Sequence, residues 1–451
     1  MSSKSRTDAA AGEYSFPPHF VLGAATSAYQ IEGCTEEALY GRGASIWDEY
    51  FSKHCELENG CTAAGHYSRM PEDVALMKEL GLQSYRFSIS WPRVLPAGRG
   101  RLNPKGLDFY DRLVDELLAA SIVPNLTLYH WDLPQALEEI GGWCARDTAL
   151  YFADYAAAVA CRLGDRVPLW ATLNEPEVIV AGYIGAGFAP GRNDPALRMR
   201  VAHNLLLAHG SALQALRPLL PERQLGIVLN LVPIDPITES ARDAAARRWM
   251  REYAFYLEAL TKAAYPELVI EEAERSGVEI RPGDMAIIAQ KLDFLGVNWY
   301  LRLVVDEQGR LVELPDVPRT LMGWEVRPEA LTRTLTSIWA DYRLPPIYIT
   351  ENGAALEDLR AGGEIKDPGR QAYIAEHLHA IEQAIQAGVD VRGYYVWSLL
   401  DNLEWSLGYS KTFGLVHVDR ETLERTPKQS ARWYQSLIAR HAACAAPRSL
   451  T

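Results

Sequence analysis

The chain has 451 residues, 48% hydrophobic and 23% charged, which excludes a mainly disordered chain, a collagen and a disulfide-dense mini-protein. Length alone would allow about three domains of roughly 150 residues, but single barrels extend beyond about 400. With 45 Lys plus Arg against 58 Asp plus Glu, the formal net charge of −13 disfavours nucleic acid and anionic membranes as partners.

Residues 1–13 are polar and rich in small side chains. They lack the apolar core of a signal peptide, so they read as a flexible tail on a cytoplasmic protein. Residues 446–451 read as a second tail. The first β-prone run is 21–26, and it leads into Ser-Ala-Tyr-Gln rather than a glycine-rich phosphate turn. Further apolar runs follow at 84–90, 122–130, 169–174, 225–231, 294–300, 347–350 and 393–399. Their nearly continuous apolar character suits parallel strands covered on both faces.

Amphipathic stretches separate these runs. Segment 71–80 opens at Pro71 and stops before Gly81. Segments 107–120, 147–162, 197–216, 241–260, 328–342 and 369–387 carry apolar residues at three- and four-residue steps. Thr426-Pro427 reads as the N-cap and first position of a last helix holding Trp433 and Tyr434. Strand–helix alternation of this kind predicts an α/β fold, a (β/α)₈ TIM barrel with long loops after strands one, five and six. The alternative is a doubly wound sheet. No repeat, linker or composition break divides the chain, so residues 14–445 read as one domain.

No apolar run reaches the roughly 18 residues of a membrane span. Cys34, Cys55, Cys61, Cys144, Cys161 and Cys444 form no CxxC and no Cys/His ligand spacing, so free thiols in a reducing compartment are expected. A Cys55–Cys61 bridge is the alternative within a loop. His377 and His379 are two apart on a helix and share no face, which argues against a metal pair. The segment 185–191 (GAGFAPG) departs from a nucleotide loop at Pro190, and no GxSxG occurs.

In a barrel, chemistry gathers at the C-terminal strand ends. Gln30 follows the first run, and Arg86 lies inside the second. His130-Trp131-Asp132, Asn174-Glu175-Pro176 and Asn298-Trp299-Tyr300 close or follow later runs. Glu351-Asn352-Gly353 ends the seventh, and the eighth carries Trp397 and leads to Glu404-Trp405. Amides and carboxylates suit the hydroxyl edges of sugars, and Trp and Tyr suit their C–H faces. Two carboxyls at separate strand ends suit glycosidic cleavage. Each alone has a plainer reading: Glu175 as a helix N-terminal charge, Glu351 as a turn residue. Arg86 within an apolar strand, however, requires a buried anionic partner. Trp47, Trp91, Trp170, Trp339 and Trp433 read as packing residues.

The stretches FVLGAATSAYQIEG, YRFSISWPR, LYHWDLPQALE, TLNEP, VAHNLLLAHG, LGVNWY, YITENG and NLEWSLGYSKTFGLVHVD resemble family 1 glycoside hydrolases, the β-glucosidase family of retaining enzymes. The likeness runs from Phe20 to Tyr434. It implies Glu175 as acid/base and Glu351 as nucleophile, with Tyr300 and Arg86 beside the nucleophile. It implies that Gln30, His130, Asn174, Glu404 and Trp405 bind the non-reducing sugar and that Trp131 and Trp397 form its aromatic floor. Asn298 belongs to the same site, and Trp324 matches the aglycone platform. Double displacement at carboxyls roughly 5–5.5 Å apart is implied, with no metal or cofactor. Expected partners are β-glycosides and oligosaccharides such as cellobiose, and a homo-oligomer is compatible with the sequence.

The chain departs from the family pattern at Glu177, where Trp is frequent, at Phe188, where His is usual, at Thr412, where Arg is common, and over 34–40. These positions lie toward the leaving group or the rim, so aglycone preference is what the likeness leaves open. Glu404 would repel a phosphate dianion, which argues against a phospho-glycosidase. Glu175 in place of Gln argues against a thioglucosidase. Retention of both carboxyls argues against a sugar-binding barrel without catalysis, and the lack of His-x-His after strand one argues against a metal-dependent barrel hydrolase.

Overall fold

The structure is a computed structural model that describes residues 14–445, so both predicted tails lie outside the described residues. Eight parallel strands close into a barrel: β1 Val21–Ala25, β2 Ser84–Ser88, β3 Val123–Tyr129, β4 Leu169–Asn174, β5 Gln224–Asn230, β6 Phe294–Trp299, β7 Ile347–Asn352 and β8 Val391–Trp397. Closure comes from β1, whose Val21 pairs with Gly393 on β8 while Gly23 pairs with Ser84 on β2. Burial on both faces explains why these strands read as apolar runs rather than as alternating patterns.

Parallel neighbours need a crossover between strands. The helices α1 His66–Glu79, α2 Pro104–Ala119, α3 Thr148–Leu163, α4 Arg198–Leu219, α5 Phe255–Lys262, α6 Pro328–Asp341, α7 Pro368–Gln386 and α8 Gln429–Ala445 follow the strands in turn. In α2, Pro104 supplies a preset φ at the start, and Leu107, Tyr110, Val114 and Leu117 form the buried stripe.

Three predicted boundaries move. α1 begins at His66, and its backbone leaves helical angles at Arg69 (φ −109°, ψ 15°), two residues ahead of Pro71. The predicted helix over 241–260 is interrupted by a wide π turn at Met250–Ala254. There Arg198 donates to the carbonyl of Arg251 at 2.9 Å and draws it out of the helical ladder. Thr426-Pro427 does not cap the last helix. It lies in a short strand, Arg425–Pro427, paired with Val416–Val418. The helix opens two residues later, where Asp367 accepts from the Ser430 N–H at 2.8 Å. All six cysteines are free thiols, so the Cys55–Cys61 bridge is not formed.

Close packing of α4 onto the barrel's outer layer depends on Gly210. A Cβ there would stand 1.9 Å from the Ile287 carbonyl oxygen, a backbone atom that cannot swing away. Gly210→Ala should therefore destabilise the protein by about 1–3 kcal/mol, read as a lower urea midpoint. An unchanged midpoint would show that this helix contact gives freely.

Candidate active site

The predicted site residues lie at the C-terminal strand ends or on the loops that follow them. Arg86 on β2 is 1% exposed, and its fork is fully engaged. Nη1 donates to Glu351 Oε1 at 2.5 Å, Nη2 to Asn174 Oδ1 at 2.7 Å and Nε to Thr127 Oγ1 at 3.1 Å. The buried anionic partner that its strand position required is therefore Glu351. Tyr300 donates to the other oxygen, Oε2, at 2.7 Å.

Glu175 has different company. Asn298 Nδ2 donates to its Oε1 at 2.5 Å and Asn230 Nδ2 to its Oε2 at 3.3 Å. Asn298 is itself aligned by Thr350, whose hydroxyl donates to Asn298 Oδ1 at 2.8 Å. Asn174 links the halves of the site: its Oδ1 accepts from Arg86 and Asn298, and its Nδ2 approaches His130 Nε2 at 3.2 Å. That contact makes Nε2 the acceptor and leaves the ring proton on Nδ1, which is buried without a partner. Burial and the nearby Arg86 charge keep His130 neutral, well below its ordinary pKa.

These surroundings separate the two carboxyls electrostatically. Burial raises Glu351 above its ordinary value, and Arg86 and Tyr300 offset that rise only in part. Glu175 is raised by burial and then by the negative charge of Glu351, and is lowered first by an amide. Glu351 consequently loses its proton first, and Glu175 holds one above the ordinary carboxylate range. Glu404 is pushed up to about 8, by burial and then by Glu351.

Aromatic rings wall the mouth. Trp405 lies 4.9 Å from Trp131 and 6.2 Å from His130, centroid to centroid. Trp397 lies parallel to His130 at 5.6 Å. Trp324 flanks Tyr300 at 5.2 Å. Gln30 touches neither central carboxyl. It donates to the Leu403 carbonyl at 2.7 Å and to Asn402 Oδ1 at 3.1 Å, and so braces the loop that carries Glu404. Trp131, Glu175 and Trp405 all have positive φ, a strain that persists only where surrounding contacts hold it.

Sequence reading missed two participants, Asn230 and Phe188. Asn230 ends β5, but the apolar run continues through Leu231, which hides the strand-end amide. Trp47, read as packing, is fully buried in the core and lies 4.5 Å from Trp405. Phe188, noted only as a departure, packs on Trp131 at 5.2 Å and on Trp47 at 4.7 Å. A cavity of about 910 Å³ opens at the other end of the barrel, lined by Arg217, Gln224, Asp293 and Pro346. It has neither the carboxyl pair nor the aromatic wall.

The sequence matches the Glycosyl hydrolase family 1 profile over residues 13–443. It is 42% identical over 436 residues to β-glucosidase A of Thermotoga maritima, covering 94% of this chain and 97% of that one. It is 44% identical over 447 residues to thermostable β-glucosidase B of Thermobispora bispora, with 96% and 92% covered. The Thermotoga maritima β-glucosidase solved with deoxynojirimycin superposes at a TM-score of 0.90 and 41% identity, over 95% of this chain and 99% of that one.

The Tyr300–Glu351 bond gives a direct electrostatic test. It favours the ionised carboxylate, so Tyr300→Phe should move the ionisation of Glu351 to higher pH, followed by carbon-13 NMR of labelled glutamate carboxyls. A titration that stays put or falls would contradict this balance.

Proposed function

This chain belongs to glycosyl hydrolase family 1, and we propose that it is a retaining β-glucosidase that removes terminal non-reducing β-D-glucosyl residues by double displacement. One observation carries the reading: two buried carboxyls in opposite settings, Glu351 on a guanidinium and a phenol, Glu175 on amides. The first is prepared to be an anion, the second to hold a proton.

In the first step Glu351 attacks the anomeric carbon while Glu175 gives its proton to the departing oxygen. A glycosyl ester to Glu351 forms, and the aglycone leaves as an alcohol. In the second step Glu175, now ionised, takes a proton from water. That water attacks the anomeric carbon from the face the aglycone left, and Glu351 is released. Two inversions give retention.

Glu404, His130 Nδ1, Asn174 and Gln30 supply hydrogen bonds around the non-reducing sugar, and Trp131, Trp397 and Trp405 supply faces for its C–H surfaces. Tyr300 and Arg86 hold the nucleophile. Trp324, beyond Tyr300, receives the aglycone. Substrates are β-glucosides and short oligosaccharides such as cellobiose. Galactosyl and fucosyl residues are the alternatives that the hydroxyl-binding groups leave open. Residues 14–445 serve as one catalytic unit. Six free thiols support a cytoplasmic location, and no described helix is long and apolar enough to cross a membrane.

General acid assistance is worth roughly 10²–10⁴-fold, and only for leaving groups that need the proton. Glu175→Gln should therefore cripple cleavage of cellobiose and alkyl glucosides but largely spare the first step with a dinitrophenyl glucoside. The trace should show a burst of dinitrophenolate, then a slow steady state that azide accelerates. Equal losses on activated and unactivated substrates would remove Glu175 from proton transfer.

A further inference from the structure

Another carboxyl stands directly behind Glu175. Glu177 lies in the first turn of the helix Pro176–Ile184. Its Oε2 accepts from the backbone N–H of Asn230 at 3.4 Å, and the side-chain amide of the same Asn230 donates to Glu175 Oε2 at 3.3 Å. Asn230 thus joins the two glutamates, one through its main chain and one through its side chain.

Two atoms of this cluster, Glu177 Oε1 and Asn230 Oδ1, are buried without a hydrogen-bond partner among the described residues. Buried polar atoms without partners are costly, so their chemistry is informative. With Glu177 ionised, both are acceptors, and a second negative charge stands behind Glu175. With Glu177 protonated, the cluster holds one spare donor and one spare acceptor on groups already joined through the Asn230 N–H.

The surroundings favour the second state. Glu175 faces Glu177 from the end of β4, and Tyr253 and Tyr256 face it from the π turn and α5. Arg198 pairs with Glu272 and Arg248 with Glu252, and no ion pair to Glu177 occurs among the described residues. Burial, then the charge of Glu175, holds the Glu177 carboxyl well above its ordinary range.

We propose that Glu177 is a positioning residue for Glu175, locking Asn230 so that its amide holds the proton-donating carboxyl in place. The assignment rests on reading Glu175 as the acid/base. In this role the Glu177 carbonyl accepts from the Asn230 N–H and its O–H points to Asn230 Oδ1. A glutamine amide reproduces that pattern, and an alanine does not.

The test compares an alkyl glucoside with a dinitrophenyl glucoside across a small set of variants. Glu177→Ala should lower kcat/KM on the alkyl glucoside roughly tenfold and change the activated substrate less than about twofold, because only the former needs the proton. Glu177→Gln should stay within about twofold of the parent on both, with the basic limb of its pH profile unmoved. Asn230→Ala should repeat the Glu177→Ala pattern, and the double variant should be no worse than Asn230→Ala alone. If Glu177→Ala fails to fold, Glu177→Met fills the same space without hydrogen bonds and must show the same split.

Equal losses on both substrates, a Gln variant no better than Ala or Met, or additive effects in the double variant would overturn the proposal. So would a basic limb displaced to lower pH in Glu177→Gln, because the parent residue would then carry a charge. Glu175→Gln in the same series separates the two readings. A leaving-group split there with none at Glu177 overturns the positioning role alone, and no split at Glu175 overturns both.

Discussion

Arg86 is an arginine inside a β-strand, and a buried guanidinium must be answered by negative charge or it destabilises the fold. Glu351 answers it, and most of the mouth of the barrel is arranged around that pair. Removing one member would strand the other charge at a cost of about 3–5 kcal/mol. The remaining arms of Arg86 hold Asn174 and Thr127, so one side chain ties together the ends of β2, β3, β4 and β7. The same contact lowers the pKa of the Glu351 carboxyl against the effect of its burial.

The shortage of positive charge explains the protonation pattern. Glu175 and Asp132 are buried and Glu177 and Glu404 half-buried near the same end of the barrel, and all are raised, desolvation being the largest cause in each. One ionised carboxylate is stabilised by Arg86, and the rest keep protons more readily. Asp132, pushed up to about 8, has neither carboxyl oxygen hydrogen-bonded among the described residues. Glu351 and Glu175 differ in how readily they hold a proton because only the first sits directly on the guanidinium.

Much of this was legible in the sequence because barrel strands are buried on both faces and advertise themselves as apolar runs. A charged or amide residue at the end of such a run, such as Glu175, Asn298 or Glu351, stands out against its background. Arg86 stood out inside a run for the same reason. Asn230 did not, because Leu231 extended the apolar run past it by one residue. Trp47, fully buried against Trp405, is the packing residue that its sequence context suggested. The π turn at Met250–Ala254 depends on Arg198, an arginine distant in sequence, and periodicity carries no trace of that contact. The start of α8 depends on Asp367 in a similar way, so local capping preference at Thr426-Pro427 misled.

The proposed reaction turns on a covalent bond between the sugar and Glu351, held by Arg86 and Tyr300. Its most direct measurement is the mass of the protein after reaction with a dinitrophenyl 2-deoxy-2-fluoro-β-glucoside, followed by peptide mapping. The account predicts one fluoroglucosyl group per chain, carried on Glu351 in the peptide containing YITENG, and released slowly when an acceptor alcohol is added. A label on any other residue, or turnover with no labelled protein at all, would contradict it.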